Sequence, residues 1–425
     1  MKNVLIISYA FHEQEAIGSI RIRGLARLLP EFGWNPIILT AKFPGKSSSE
    51  YNVVETFYED KNKKLKQNFG YNINETVKDQ LRLPADKNKK SFIDYVFYVW
   101  QEFFNYPDLE RTWYKYAVDA GKTILKREKI DAIISSSSPV TSHLIAKTLR
   151  DKYNTPWIAD LRDLWTQNHY YSHTAIRRLM ERKLEVRTLK KADALVTISP
   201  YLSDKLRELH HKKIYTIMNG FNSDSVNNDI IKFPDKFTIT YTGTLYLSKR
   251  DPKKLFQAIN DLIQKNTINS NDIIINFYGL RESWLEEEIK YFNLEHVAKL
   301  NGFVNRMTAL KKQRESHLLL LLLWDHPEEK YIATGKLFDY LGSKRPVLAI
   351  GGEKGFVHEI LIDTNAGIFT TSVEEIKKYI VALYREWKTY KRVVYKGNES
   401  NLNKYTQREM TKKFSEVLNN VINYI

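Results

Sequence analysis

Tyr331-Ile332-Ala333-Thr334-Gly335-Lys336-Leu337-Phe338-Asp339-Tyr340-Leu341-Gly342-Ser343-Lys344-Arg345-Pro346-Val347-Leu348-Ala349 reads as loop, helix, turn and strand. Thr334 and Gly335 stand where the helix starts, and the first amides of a helix lack intrahelical acceptors, so they are available to a phosphate. Lys336 adds a positive charge there. Asp339, one turn further, is placed to accept from a ribose hydroxyl; a plain solvated helix carboxylate is the alternative.

Just before this segment, Leu318-Leu319-Leu320-Leu321-Leu322-Leu323 is the most apolar run of the chain. It is far shorter than the roughly 20 residues of a membrane-crossing helix. An unbroken apolar run of this length is the mark of a strand buried on both faces, as in a parallel sheet. The same alternation extends in both directions. Apolar runs at 237–242, 273–278, around Leu300, at 347–350 and at 367–369 make one strand series. Runs at 4–9, 34–40, 132–135, 157–161, 194–198 and 214–218 make another. Helical periods fall between them, at 19–31 with Ile20, Leu25, Leu28 and Leu29 and a stop at Gly33, then at 143–153 and 177–190. Strand and helix in alternation predict doubly wound parallel sheets.

A chain of 425 residues exceeds what one core serves, so two domains are expected. The polar tract at 221–236, with Pro234 and little periodicity, is the expected linker between an N-terminal domain, 1–220, and a C-terminal one, 237–400. A last helix at 407–423, in the tail 401–425, has the option of crossing back to the first domain. Residues 42–105 are expected to be an insertion. Lys61, Lys63, Lys64, Lys66, Lys87, Lys89 and Lys90 make it basic, and Phe92, Tyr95, Phe97, Tyr98, Trp100, Phe103 and Phe104 then follow. Basic residues beside aromatic anchors have the composition of a surface lying on anionic lipid, with a helix packed on its own sheet as the alternative. The first strand resembles a signal peptide, but Phe11-His12-Glu13 offers no small-residue cleavage site.

With 66 Lys and Arg against 50 Asp and Glu, the formal charge is +16, which favours anionic partners. No nucleic-acid motif accompanies the charge, so phosphorylated metabolites and acidic lipid are preferred to nucleic acid. The sequence has no Cys, which removes disulfides, thiolate metal sites and cysteine nucleophiles together. His169 and His173 are spaced i, i+4 without a third ligand at recognisable spacing, so no metal centre is expected.

In open parallel sheets, ligands bind beyond the carboxyl ends of the strands. Gly18, with Arg21 and Arg23 one turn on, is a candidate anion site after the first strand. Gly243 and Thr244, followed by Lys249 and Arg250, stand at the equivalent place in the second domain. No Gly-x-Gly-x-x-Gly or Walker-type loop is present, against dehydrogenase and NTPase readings. Asp160, Arg162 and Asp163 follow another first-domain strand, with His143 on the preceding helix. Each of these has a structural alternative, as an internal ion pair or a satisfied core histidine.

Tyr331 to Ala349, Ile217-Met218-Asn219-Gly220-Phe221, Tyr241-Thr242-Gly243-Thr244, Gly18-Ser19-Ile20-Arg21, Ser136-Ser137-Ser138-Pro139 with His143, and Ala159-Asp160-Leu161-Arg162-Asp163-Leu164-Trp165 together resemble the family 4 retaining glycosyltransferases of bacterial surface-polysaccharide synthesis. The resemblance implies the GT-B fold, two facing Rossmann-like domains with a cleft between them. It implies that Asp339 binds the ribose of a UDP-linked donor and that Thr334, Gly335 and Lys336 face its diphosphate. Arg250 would neutralise the leaving group, and Tyr278, Gly279, Phe303 and Val304 would line the base. His143 and Asp163 would serve the acceptor side. One departure stands out: the family's first glutamate, eight positions before Asp339, is Tyr331, with Glu328 and Glu329 nearby.

The expected protein is therefore a metal-independent hexosyltransferase using a nucleotide sugar as co-substrate and no cofactor. Its acceptor would be lipid-linked or a polysaccharide, and its place the cytoplasmic face of the plasma membrane. A nucleotide-sugar 2-epimerase of the same fold and a non-catalytic membrane-surface binder are the rivals.

Overall fold

The computed structural model describes residues 1–11, 17–43, 50–59, 105–168, 171, 173–223, 231–246, 249–327 and 329–423. Most of the basic and aromatic stretch at 42–105, together with His169 and Glu328, lies outside these residues. The chain divides into two compact units, one of Met1–Ile198, Leu202–Ile217 and Lys412–Ile425, the other of Ser199–Tyr201 and Met218–Thr411.

The first unit holds a seven-stranded parallel sheet in the order β3-β2-β1-β4-β5-β6-β7. Its strands are β1 (Lys2–Ile7), β2 (Trp34–Ala41), β3 (Val53–Thr56), β4 (Ala132–Ser137), β5 (Trp157–Leu161), β6 (Ala194–Thr197) and β7 (Ile214–Thr216). Helices α1 (Ile17–Leu28), α2 (Trp113–Arg127), α3 (Thr141–Tyr153), α4 (Ala175–Leu189) and α5 (Pro200–His210) make the crossovers. Val4 to Ile7 and Ile37 to Leu39 are at most 1% exposed, as a sheet covered on both faces requires. Two elements depart from the sequence expectation. β3 lies inside the stretch read as an insertion and pairs in parallel with Ile38 to Ala41. α2 arises from a segment in which no helix was expected, and buries Trp113, Ala117, Val118, Gly121 and Ile124 at i, i+4 and i+3 spacings.

The second unit holds a six-stranded parallel sheet in the order β10-β9-β8-β11-β12-β13. It comprises β8 (Phe237–Thr242), β9 (Ile273–Tyr278), β10 (Ala298–Gly302), β11 (Leu318–Leu322), β12 (Val347–Ile350) and β13 (Gly367–Thr370), with α6 (Lys253–Gln264), α7 (Ser283–Tyr291), α8 (Arg306–Arg314), α9 (Gly335–Ser343), α10 (Phe356–Thr364) and α11 (Val373–Tyr390) around it. The five leucines of β11 are no more than 1% exposed. After the short α12 (Glu399–Leu402), α13 (Gln407–Asn423) begins in this unit, and its residues from Lys412 onward belong to the first. Phe221, expected in the linker, is 6% exposed. Its N–H donates to Tyr405 O at 3.0 Å and its carbonyl accepts from Gln407 N at 2.8 Å, so the second unit starts earlier than its first strand.

In the second sheet the strand order reverses between β8 and β11, and such switch points leave a crevice beyond the strand ends. No helix among the described residues is long and apolar enough to cross a membrane.

Candidate active site

The site of the second unit is built on three adjacent strand ends. Gly243 N–H donates to Tyr278 O at 2.7 Å and Gly279 N–H to Gly302 O at 3.0 Å, so the turns after β8, β9 and β10 form one backbone platform. Gly243 has φ of +110°, and a Cβ on it would lie 2.4 Å from Lys336 Cε. A Cβ on Gly279 would meet Gly243 O at 2.3 Å. Both positions need glycine, one for conformation and one for close approach. A shallow recess opens here, lined by Tyr241, Gly243, Tyr278, Gly279, Leu300 and Gly302. Phe303, 68% exposed, and the half-buried Val304 follow β10.

α9 is fixed against this platform by a buried polar network. Tyr340 Oη accepts from Thr242 N at 3.2 Å and donates to Leu320 O at 3.1 Å, bridging β8 and β11. Gln313 Nε2 donates to Thr242 Oγ1 at 2.9 Å, and Ser343 Oγ donates to Gln313 Oε1 at 3.2 Å. Thr334 precedes the helix with extended backbone, and its buried Oγ1 has no hydrogen-bond partner. Lys336 lies over the Tyr241 ring, 4.2 Å from its centroid, and donates to Tyr241 Oη at 2.7 Å and Thr244 O at 3.4 Å. Arg250 packs over Tyr246 at 4.5 Å. Burial first, and then the Arg250 charge, hold the Lys336 ammonium well below the usual lysine range. Thr244, Arg250 and Lys336 therefore lie close together near the N-terminus of α9.

Asp339 is engaged by a partner that sequence reasoning missed. Arg306, the first residue of α8, holds it in a two-point pair, Nη1 to Oδ2 at 2.9 Å and Nη2 to Oδ1 at 2.6 Å. Burial raises the Asp339 carboxyl above its ordinary range, while Arg306 pulls it down. A basic residue opening the helix after Gly302-Phe303-Val304 was the available signal. Tyr331, at the position of the family's first glutamate, stacks on Tyr201 with ring centroids 4.1 Å apart, and Glu329 is buried.

In the first unit the structure corrects two expectations. The Arg162 guanidinium packs against Gly18, where a Cβ would lie 2.5 Å from Nη1. Arg162 Nε donates to Ser137 O at 2.6 Å. Arg21 is 3% exposed and spends its guanidinium on Asp160 rather than on a ligand anion. His143 is fully buried and so faces no acceptor. Trp157 Nε1 donates to Ser135 Oγ at 2.8 Å, and that hydroxyl is hydrogen-bonded to His143 Nδ1 at 2.7 Å, so the ring is held by internal partners. Asp163, by contrast, is exposed after β5.

Burial lowers His143 to about 4, and it lowers His317 of the second unit, whose Nδ1 accepts from Thr238 N at 3.0 Å, to about 4 as well. The unfolded chain binds these protons near pH 6.5 and the folded chain does not, so stability falls as pH drops from there toward 4. By pH 4 the loss reaches roughly 3 kcal/mol per histidine. Thermal melts between pH 7 and pH 4 are expected to show a shallower decline for His143→Asn or His317→Asn than for the wild type; equal slopes would refute the linkage.

Two open parallel sheets with helical crossovers and a site at the strand ends define the GT-B class. The fold matches sucrose-phosphate synthase (tll1590) from Thermosynechococcus elongatus with a TM-score of 0.64 at 12% identity, covering 100% of both chains. It matches a glycosyltransferase from Rickettsia africae ESF-5 at 0.61 and 13%, over 99% of this chain and 98% of that one. It also matches Anabaena Alr3699/HepE, solved in complex with UDP and glucose, at 0.61 and 10%, over 99% and 100%. No curated protein matches the sequence. Residues 18–225 match the model of Glycosyltransferase Family 4. Over residues 18–225 the chain resembles family 4 glycosyltransferases, and its fold is the GT-B fold.

Proposed function

We propose that the protein moves a hexose from a nucleotide sugar, UDP-linked, to a lipid-linked or polysaccharide acceptor of a bacterial surface glycan, with retention of anomeric configuration and without a metal. The observation that carries this reading is the pairing of two cations, the half-buried Lys336 and Arg250, at a helix N-terminus, where Lys336 lies over the Tyr241 ring and Arg250 is the charge that acts on it. Such a place favours an anion. The amides of Gly335 and Lys336 hold the diphosphate, the base sits in the recess at Tyr278 and Gly279 beside Phe303 and Val304, and Asp339, steadied by Arg306, takes the ribose. As the bond from the anomeric carbon to the phosphate oxygen breaks, charge develops on that oxygen, and Arg250 and Lys336 stabilise it. The acceptor oxygen bonds to the anomeric carbon on the same face, and its proton passes to the departing phosphate. Asp163 positions the acceptor.

A thermal-shift screen of UDP, GDP, ADP and their sugars tests the donor, with UDP and one UDP-sugar expected to raise Tm. Failure of every nucleoside diphosphate to do so sinks the proposal. A UDP-sugar returned with its C2 configuration changed, and no free UDP, identifies an epimerase instead. The reading also carries a proton signature. Free Lys336 has a depressed pKa and a bound diphosphate favours its charged form, so UDP binding takes up a proton, and affinity falls as pH rises between the two pKa values. Calorimetry in buffers of different ionisation enthalpy is expected to record this uptake in the wild type and lose it in Lys336→Met.

A further inference from the structure

Helix α4 carries its charge and its apolar residues in an unusual division. Ile176, Leu179 and Met180 are 70%, 58% and 43% exposed. They fall at i, i+3 and i+4, on one stripe of the helix. Arg178, Arg182, Lys183 and Arg187 are exposed around and beyond them. Both acids of the helix are turned the other way: Glu181 is 2% exposed and Glu185 fully buried. Glu181 accepts from Arg177 Nε at 2.7 Å and Trp165 Nε1 at 2.9 Å; Glu185 accepts from Thr166 N at 3.1 Å and pairs with His210 Nε2 at 3.3 Å. The outer face of α4 therefore presents four cations and three large apolar side chains with no acid of its own.

The helix is held rigidly from behind. Arg177 Nη2 donates to Asn105 O at 3.1 Å and Pro107 O at 2.9 Å, and Tyr106 Oη donates to Met180 O at 3.4 Å. Arg177 and Glu181 thus form the inner seam, and the apolar stripe is not drawn into the core.

We infer that this face of α4 docks the protein on an anionic phospholipid bilayer. A helix ridge is convex, so its apolar side chains suit a yielding surface into which they sink, and the flanking Arg and Lys meet the lipid phosphates. A second copy of the same face is disfavoured, because it brings four further cations against these. The inference deepens the proposed use of a lipid-linked acceptor by giving the membrane a surface on the first unit. It concerns residues outside the donor machinery, so the two stand or fall separately.

The test is co-sedimentation of the full chain with phosphatidylcholine vesicles, with and without phosphatidylglycerol. Binding is expected only when phosphatidylglycerol is present. The variant R182Q/K183Q/R187Q is expected to lose about a hundredfold in affinity, since each basic residue near the surface contributes ~1 kcal/mol. The variant L179S/M180S is expected to lose roughly tenfold or more through its apolar area. All substituted side chains are exposed, so Tm and the UDP-induced Tm shift should match the wild type, which separates a failure here from a failure of the donor reading. Wild-type protein that stays in the supernatant with anionic vesicles overturns the inference, and so do variants that bind as tightly as wild type. A wild-type dimer by light scattering that becomes monomeric in L179S/M180S also overturns it, by making a second copy the occupant.

Discussion

Lys336→Met is expected to lower kcat for sugar transfer by roughly 10²- to 10³-fold, the usual cost of removing one preorganised donor from a developing negative charge. Methionine keeps most of the volume that packs over Gly243 and the Tyr241 ring, so the loss falls on charge and not on shape. Burial and Arg250 already disfavour the ammonium in the free protein. Removing it should therefore leave Tm unchanged or raise it, because a desolvated charge beside a second cation costs stability. A site that weakens the fold while empty and gains from a bound diphosphate has the profile of a functional group. Arg250→Ala should act in the same direction, and the double variant should lose less than the product of the two, since in the proposed reaction both serve one leaving group. Steady-state release of UDP, with circular dichroism as the folding control, decides the matter. Wild-type turnover in both single variants would remove the assigned leaving-group site.

Asp160→Ala is expected to give the largest loss of stability. Asp160 is fully buried and Arg21 nearly so, and they meet at two points, Nε to Oδ2 at 3.1 Å and Nη2 to Oδ1 at 3.0 Å. Ser136 Oγ also donates to Oδ2 at 2.8 Å, while Arg21 Nη2 donates to Ile217 O at 2.9 Å. The guanidinium further packs over Phe414 of α13 at 4.9 Å, so this one pair joins α1, β5, the end of β7 and the last helix. Removing the carboxylate strands a buried cation, which costs about 3–5 kcal/mol. For a unit of this size, that corresponds to a Tm drop of about 10 °C. An apolar replacement of both partners, Arg21→Met with Asp160→Leu, should recover most of it, because the desolvation cost disappears with the charges. Calorimetry of the three variants is the measurement. An unchanged Tm in Asp160→Ala would show that the pair carries no such weight.

The same pair marks how far the sequence could be read. Strands 157–161, 237–242, 273–278 and 347–350 stand where their apolar runs placed them. Elements with a weaker local signal went unread. β3 is four residues long, with burial confined to its end, and α2 is punctuated by Lys115, Asp119, Lys122 and Lys126, which thin its apolar stripe. The grouping of residues around the start of α9 was legible because most of it lies in two short segments: Gly243 and Thr244 at one strand end, and Thr334 to Lys336 at one helix start. Arg21 and His143 were misplaced as ligand groups, and Arg306 was missed.

By itself the sequence determined two parallel αβ series and the helix terminus at which Thr334, Gly335 and Lys336 meet, because hydrophobic period and capping chemistry are properties of neighbours along the chain. Only the tertiary structure decided what each charge is for. Arg21 lies 139 positions from the carboxylate that claims it, and Arg306 lies 33 from Asp339. Whether a charged side chain is paired, desolvated or left to an incoming anion depends on the groups that the fold packs around it, and separation along the chain carries no information about that.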